Sequence, residues 1–225
     1  MTFPRNIPAL VAAATLALAV LWQTAINSQN MNVALISAAG FPMTPTITKT
    51  LIPEGTLGRH QMKKMVPRYI TIHSTQNYSK GADAAAHARL IQRGGLTSRH
   101  NSLGYLTWHF SVDEDSIHQS LPCTEQGQHA DYDGPGNQSS IGIEMCENAD
   151  NSREKTLEQT AKLTAWLMAR YNIPINHVVP HQHWRRIRPT DQKDLGHKNC
   201  PHFLMDNGVP GAKWEAFLDR VRSYR

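Results

Sequence analysis

Short apolar runs that read as strands alternate along this chain with longer runs that read as helices, and that alternation limits the fold to a sheet covered by helices. Tyr69-Ile-Thr-Ile-His73 alternates directly after Pro67, as a strand does. Tyr105–Val112 and Ser116–Leu121 read as a hairpin turned by Asp113-Glu-Asp115. Ser140–Cys146 is a short apolar strand carrying one acid, Glu144. Ala82–Gln92 reads as a helix stopped by Gly94-Gly95. Arg153–Tyr171 is the clearest helix: Leu157, Ala161, Thr164, Met168 and Tyr171 share one face, and Asn151 with Glu154 forms a capping-box pattern. Ala212–Tyr224 repeats the pattern with Trp214, Phe217, Leu218 and Val221 facing inward. The expected class is α/β, with a central mixed β-sheet flanked by helices in one domain over residues 59–225.

The chain ahead of that domain has a different character. Residues 1–30 hold a single charge, Arg5, and Ile7–Trp22 is apolar throughout apart from Thr15. Such a run lies between a secretory signal core and a spanning helix in length, so residues 1–30 are expected to be a signal peptide or an N-terminal membrane anchor. Export follows, to the periplasm, the cell wall or the medium, with membrane contact through this segment only. Residues 31–58 are rich in Pro, Gly and Thr and read as a linker. The formal net charge of +5 suits an anionic polymer, but no nucleic-acid-reading motif accompanies it and no nucleic acid is expected as partner. Of the three cysteines, Cys123 and Cys146 are a candidate disulfide, and an odd number in an exported chain leaves one thiol for other chemistry.

Three residues stand where such chemistry would be. His73 ends one apolar run and His181 ends another, Val178-Val-Pro180, while Cys200 sits in His197-Lys-Asn-Cys-Pro201 on a turn stiffened by proline. A hydrolytic zinc takes three protein ligands, and two imidazoles with a thiolate form a suitable set. Each residue alone is ordinary; three element ends offering such donors together are not. His183 and His197 lie close enough in sequence to substitute for His181. Glu144, an acid in an apolar strand, is either an outward-facing strand residue or a general base. Lys198, two positions before Cys200, is within reach of the metal's open position as an oxyanion partner.

In order along the chain, Tyr69-Ile-Thr-Ile-His-Ser-Thr75, Trp108-His-Phe-Ser-Val-Asp113, Gln119-Ser-Leu-Pro122, Ser140-Ile-Gly-Ile-Glu-Met-Cys-Glu-Asn148, Val179-Pro-His-Gln-His-Trp184 and Lys198-Asn-Cys-Pro201 resemble the type 2 N-acetylmuramoyl-L-alanine amidases of phage endolysins and bacterial autolysins, which are similar to peptidoglycan recognition proteins. The resemblance spans about residues 60–205. It implies hydrolysis of the amide between N-acetylmuramic acid and L-alanine, with Zn2+ as cofactor and peptidoglycan or muropeptide as substrate. It implies His73, His181 and Cys200 as zinc ligands, Glu144 as base and Lys198 beside the oxyanion. Trp108, His109, His129 and Asn148 are implied as substrate contacts. The sequence departs from the family's short form at Arg185–Gly196, an extra segment between the second histidine and the Lys-x-Cys-Pro motif. The competing expectations are a peptidoglycan binder without catalysis, which retention of Cys200 disfavours, and an amidase acting on soluble muropeptides.

Overall fold

The computed structural model describes residues 44–225. The sequence-expected signal or anchor, and residues 31–43 of the expected linker, lie outside the described residues.

A six-stranded sheet, in the order β1-β4-β3-β5-β2-β6, carries the domain. Its strands are β1 (Thr48–Lys49), β2 (Tyr69–Ser74), β3 (Phe110–Val112), β4 (Ile117–Gln119), β5 (Ser140–Met145) and β6 (Val178–Pro180). β3, β5, β2 and β6 run parallel, β4 runs antiparallel to β3, and β1 runs parallel to β4, so the sheet is mixed as expected. Among the described residues, four helices accompany it: α1 (Ala84–Gln92), α2 (Pro135–Ser139), α3 (Arg153–Tyr171) and α4 (Ala212–Arg222).

The period of two along the strands gives the sheet two unlike faces. Ile70, Ile72, Phe110, Val112, Ile141, Ile143 and Met145 face α3 and α4 and form the main core with Ala161, Leu163, Met168, Trp214, Phe217 and Val221. The intervening positions, Thr71, His73, Ser111, Ser140 and Glu144, form a polar second face. The register sets His73 directly beside Glu144, and Glu144 beside Ser111 on its other flank.

Several boundaries differ from those expected. The described part of the expected linker, residues 44–58, belongs to the domain: β1 pairs with β4, Ile52 is fully buried, and the Thr50 and Ile52 amides donate to Gln119 and Ser120 carbonyls at 2.8 and 3.0 Å. Helix α3 is capped by Ser152, whose side chain accepts from the Lys155 amide, while Asn151 instead donates to the Cys146 carbonyl at 2.9 Å. Cys123 and Cys146 are both free: Cys123 lies in the main core beside Tyr171, and Cys146 lies 3.8 Å from His87 Nδ1. The extra segment after His181 folds as a hairpin of β7 (Arg185–Ile187) and β8 (Asp194–His197). A last short hairpin, β9 (Met205–Asp206) with β10 (Val209–Pro210), leads into α4. Among the described residues, no helix is long and apolar enough to cross a membrane.

Candidate metal centre and active site

Parallel neighbours release their chains at the same edge of a sheet. His73 is therefore the last residue but one of β2, β6 is followed at once by His181, and the turn after β8 brings Cys200 back to the same place. The three side chains are buried and their donor atoms all lie within 4.8 Å of one another.

Hydrogen bonds around the two imidazoles fix how they are used. His181 Nε2 donates to the Ala130 carbonyl at 2.7 Å, which leaves a lone pair on Nδ1. His129 Nε2 donates to the Ser140 carbonyl at 3.3 Å, so its Nδ1 accepts from His73 Nε2 at 3.1 Å. His73 is thereby left with its own lone pair on Nδ1. The two free nitrogens face each other at 2.9 Å. Burial holds His181 down to about pKa 3 and holds His73 well below the ordinary histidine range, with neighbouring histidines adding to the effect on His73. Two neutral lone pairs aimed at one point call for a cation between them. Cys200 supplies the third donor, with its Sγ accepting from the Ser74 amide at 3.4 Å. Burial pushes its thiol up to about 12, so a thiolate there depends on a nearby positive charge. The donor chemistry fits zinc.

His183 and His197 do not compete for this position. His183 is exposed and stacks on Tyr69 with ring centroids 6.2 Å apart. His197 is exposed and held by the Gln182 carbonyl at 2.7 Å from Nδ1.

A cleft of about 190 Å³ opens over the cluster and is lined by His73, His129, His181, Glu144, Lys198 and Trp108, among others. Glu144 Oε1 lies 3.9 Å from His73 Nδ1, and its Oε2 is buried without a hydrogen-bond partner. Burial pushes this carboxyl up to about 8 against the opposing pull of Lys198. Glu144 thus faces the cleft rather than the bulk solvent expected of an outward-facing strand residue. Glycine at 142 makes room for this arrangement, since a Cβ there would stand 2.7 Å from the His129 ring. A larger cavity of about 500 Å³, bounded by Thr48, Asp115, Gln159, Lys162 and Tyr224, has no histidine or cysteine in its lining.

Of the four sequence-expected substrate contacts, Trp108 and His129 line the cleft and His109 and Asn148 do not. His109 is fully buried behind it, accepting from the Gly142 amide at 2.9 Å and donating to the Glu125 carbonyl at 2.8 Å. Asn148 is buried in the loop beyond β5, where it donates to Asp150 at 2.7 Å. Conversely, Asn101, Gln128, Tyr132, Asn137 and Arg186 join the lining without having been singled out. Asn137 shapes it directly: its Oδ1 accepts from the His129 and Ala130 amides at 2.8 Å each, holding the loop that steadies both His73 and His181. No local pattern marks these residues, because loops from distant parts of the chain bring them in.

Residues 63–203 match the family described as N-acetylmuramoyl-L-alanine amidase. The chain belongs to that family. It is 39% identical over 180 residues to the N-acetylmuramoyl-L-alanine amidase CwlH of Bacillus subtilis (strain 168), covering 79% of this chain and 62% of that one. It is 40% identical over 172 residues to XlyA, an amidase of the same description from the same organism, covering 76% and 49%. The chain therefore spans less than two thirds of the length of these curated relatives. Among solved structures, the catalytic domain of XlyA superimposes with a TM-score of 0.63 at 39% identity, covering 79% of this chain and 99% of that one. PlyL superimposes with a TM-score of 0.62 at 26% identity, covering 80% and 99%.

Proposed function

We propose that this chain is a zinc-dependent amidase that hydrolyses the bond between the lactyl group of N-acetylmuramic acid and L-alanine in peptidoglycan. The observation that carries the reading is the pair of imidazole lone pairs meeting at 2.9 Å beside a buried thiol, under a cleft that also holds Glu144 and Lys198. His73, His181 and Cys200 hold the metal in this reading. A zinc ion there supplies Lewis acidity, polarising the amide carbonyl and making water nucleophilic near neutral pH by lowering its pKa to about 7.

The remaining steps belong to the protein's own groups. Glu144 takes a proton from the attacking water as its oxygen bonds to the lactyl carbonyl carbon. The same carboxyl then gives that proton to the alanine nitrogen as the C–N bond breaks. Burial raises this carboxyl above the ordinary carboxylate range, which makes it a stronger base for the first transfer and leaves it able to return the proton in the second. Lys198 places an ammonium where the carbonyl oxygen becomes negative. His129 and the Ala130 carbonyl hold the two imidazoles in the required tautomers, the usual work of groups behind metal ligands. Trp108 forms a wall whose indole is fixed by a 2.8 Å bond to Ser111 Oγ. Action outside the cytoplasm is part of the proposal, on the strength of the apolar run Ile7–Trp22 and the location of the substrate.

The test uses Glu144→Gln on purified peptidoglycan, with appearance of L-alanine amino termini as the readout and bound zinc counted by metal analysis. The variant is expected to keep one zinc per chain and lose about 10²–10⁴ in turnover. Undiminished turnover would remove Glu144 from the mechanism. A zinc-loaded wild type that released no alanine termini would end the amidase reading.

A further inference from the structure

We propose that Arg186 determines specificity by binding a carboxylate on the peptide side of the scissile amide. The proposal rests on the amidase reading for the identity of the substrate. Arg186 belongs to the β7–β8 hairpin, the extra segment between His181 and Cys200, and it lines the same cleft as both His181 and Lys198. Its neighbours Arg185 and Ile187 are exposed, so strand alternation turns Arg186 alone of the three toward the site.

The guanidinium is held in place and uncompensated. Its Nη2 donates to the Leu195 carbonyl at 3.1 Å and its Nε to the Gly196 carbonyl at 3.4 Å, both across the hairpin. These carbonyls fix the side chain without neutralising it. Arg185 and Arg188 in the same hairpin are each paired with an aspartate, Asp194 and Asp191, whereas among the described residues Arg186 has no carboxylate within 4.0 Å. A fixed guanidinium with free N–H groups matches the fork of a carboxylate.

Position separates its task from that of Lys198. Both side chains line the cleft, but Lys198 lies on the turn between β8 and Cys200, whereas Arg186 lies in β7, just after His181. Arg186 thus enters the cleft from a different element than the oxyanion partner does. In a muramoyl peptide the lactyl carboxyl is consumed in the scissile amide and the sugar is neutral, so the substrate's anions all lie on the peptide. The first beyond L-alanine is the free α-carboxylate of the side-chain-linked glutamate. That group is the one we assign to Arg186.

Binding to the Glu144→Gln chain tests this without turnover, using N-acetylmuramoyl-L-alanyl-D-glutamate and its analogue with the α-carboxylate converted to carboxamide. With Arg186 present the acid should bind about tenfold more tightly than the amide, and Arg186→Gln should bind the two alike. Arg186→Lys, which keeps the charge without the fork, should fall between and shows that lost preference is not merely a collapsed hairpin. Equal binding of acid and amide in the Arg186 chain would overturn the proposal. So would a preference that survives Arg186→Gln, or binding of both ligands lost together in both variants. If the chain with Glu144 restored cleaves neither ligand while the acid preference stands, the amidase reading fails and the Arg186 assignment holds.

Discussion

His109 shows how one buried side chain sets a pH limit on this fold. Its Nδ1 accepts from the Gly142 amide and its Nε2 donates to the Glu125 carbonyl, so the neutral ring satisfies both partners. A proton added at Nδ1 would face an N–H. Burial accordingly lowers its pKa to about 4, with the Glu125 carbonyl opposing. The folded-state value lies below the unfolded value of about 6.5, so the unfolded chain binds the extra proton first as pH falls. The stabilisation from His109 is complete above about pH 6.5 and is lost progressively toward pH 4, with a span of about 3 kcal/mol. A His109→Gln chain, whose amide can still accept and donate, should lose about 3 kcal/mol less between pH 7 and pH 4 than wild type in urea unfolding. Parallel pH curves for the two chains would refute this account. The family resemblance implies His109 as a substrate contact, but no sequence pattern shows that the segment around Glu125 closes over it. His73 and His181 were legible as neighbours because each lies within a residue of the end of an apolar strand, and strand ends in parallel neighbours meet.

The arm ahead of β2 was legible in neither sequence pattern nor composition. β1 has two residues, too few for any periodicity, and its structure comes from a partner far along the chain, Thr48 opposite His118. Arg59 anchors the arm. Its Nε and Nη2 donate to Glu125 at 2.8 and 3.0 Å and its Nη1 to the Ile52 carbonyl at 3.0 Å, with both charged side chains about 6% exposed. Breaking such a pair from one side leaves an uncompensated buried charge, so Arg59→Ala should cost about 3–5 kcal/mol of unfolding free energy. Arg59→Met combined with Glu125→Leu should recover most of that loss, since an apolar pair of similar size replaces the ions. A double variant as unstable as the single one would place the stabilisation in the Arg59–Ile52 contact rather than in the ion pair. By contrast α3 was legible at both ends, because a 19-residue amphipathic pattern carries its own signal; only the cap moved, from Asn151 to Ser152.

For the molecule as a whole, the cluster of His73, His181 and Cys200 and the fold are one structure. His73 lies near the start of the domain and Cys200 near its end, and β2, β6 and the β7–β8 hairpin must all be in place before their donors meet. The unfolded chain has no such site, so metal that binds the folded state raises the unfolding free energy by RT ln(1 + [Zn]/Kd), about 2.7 kcal/mol at a hundredfold excess over Kd. For a domain of this size that corresponds to a rise of about 5–10 °C in Tm. Calorimetry should show the rise with zinc, its reversal by chelator, and its absence in Cys200→Ser, where a hydroxyl replaces the soft thiolate donor. His183→Ala and His197→Ala should keep the full shift, because both rings point away from the cluster. A Cys200→Ser chain stabilised as much as wild type would move the metal off this cluster. A loss of the shift in His197→Ala would instead mean that the hairpin repacks on metal binding and delivers a different histidine. The inserted segment is where the sequence pattern left the choice of ligand open, and its pairing as a two-stranded hairpin, with His197 tied to Gln182, is what leaves His181 alone on the cluster.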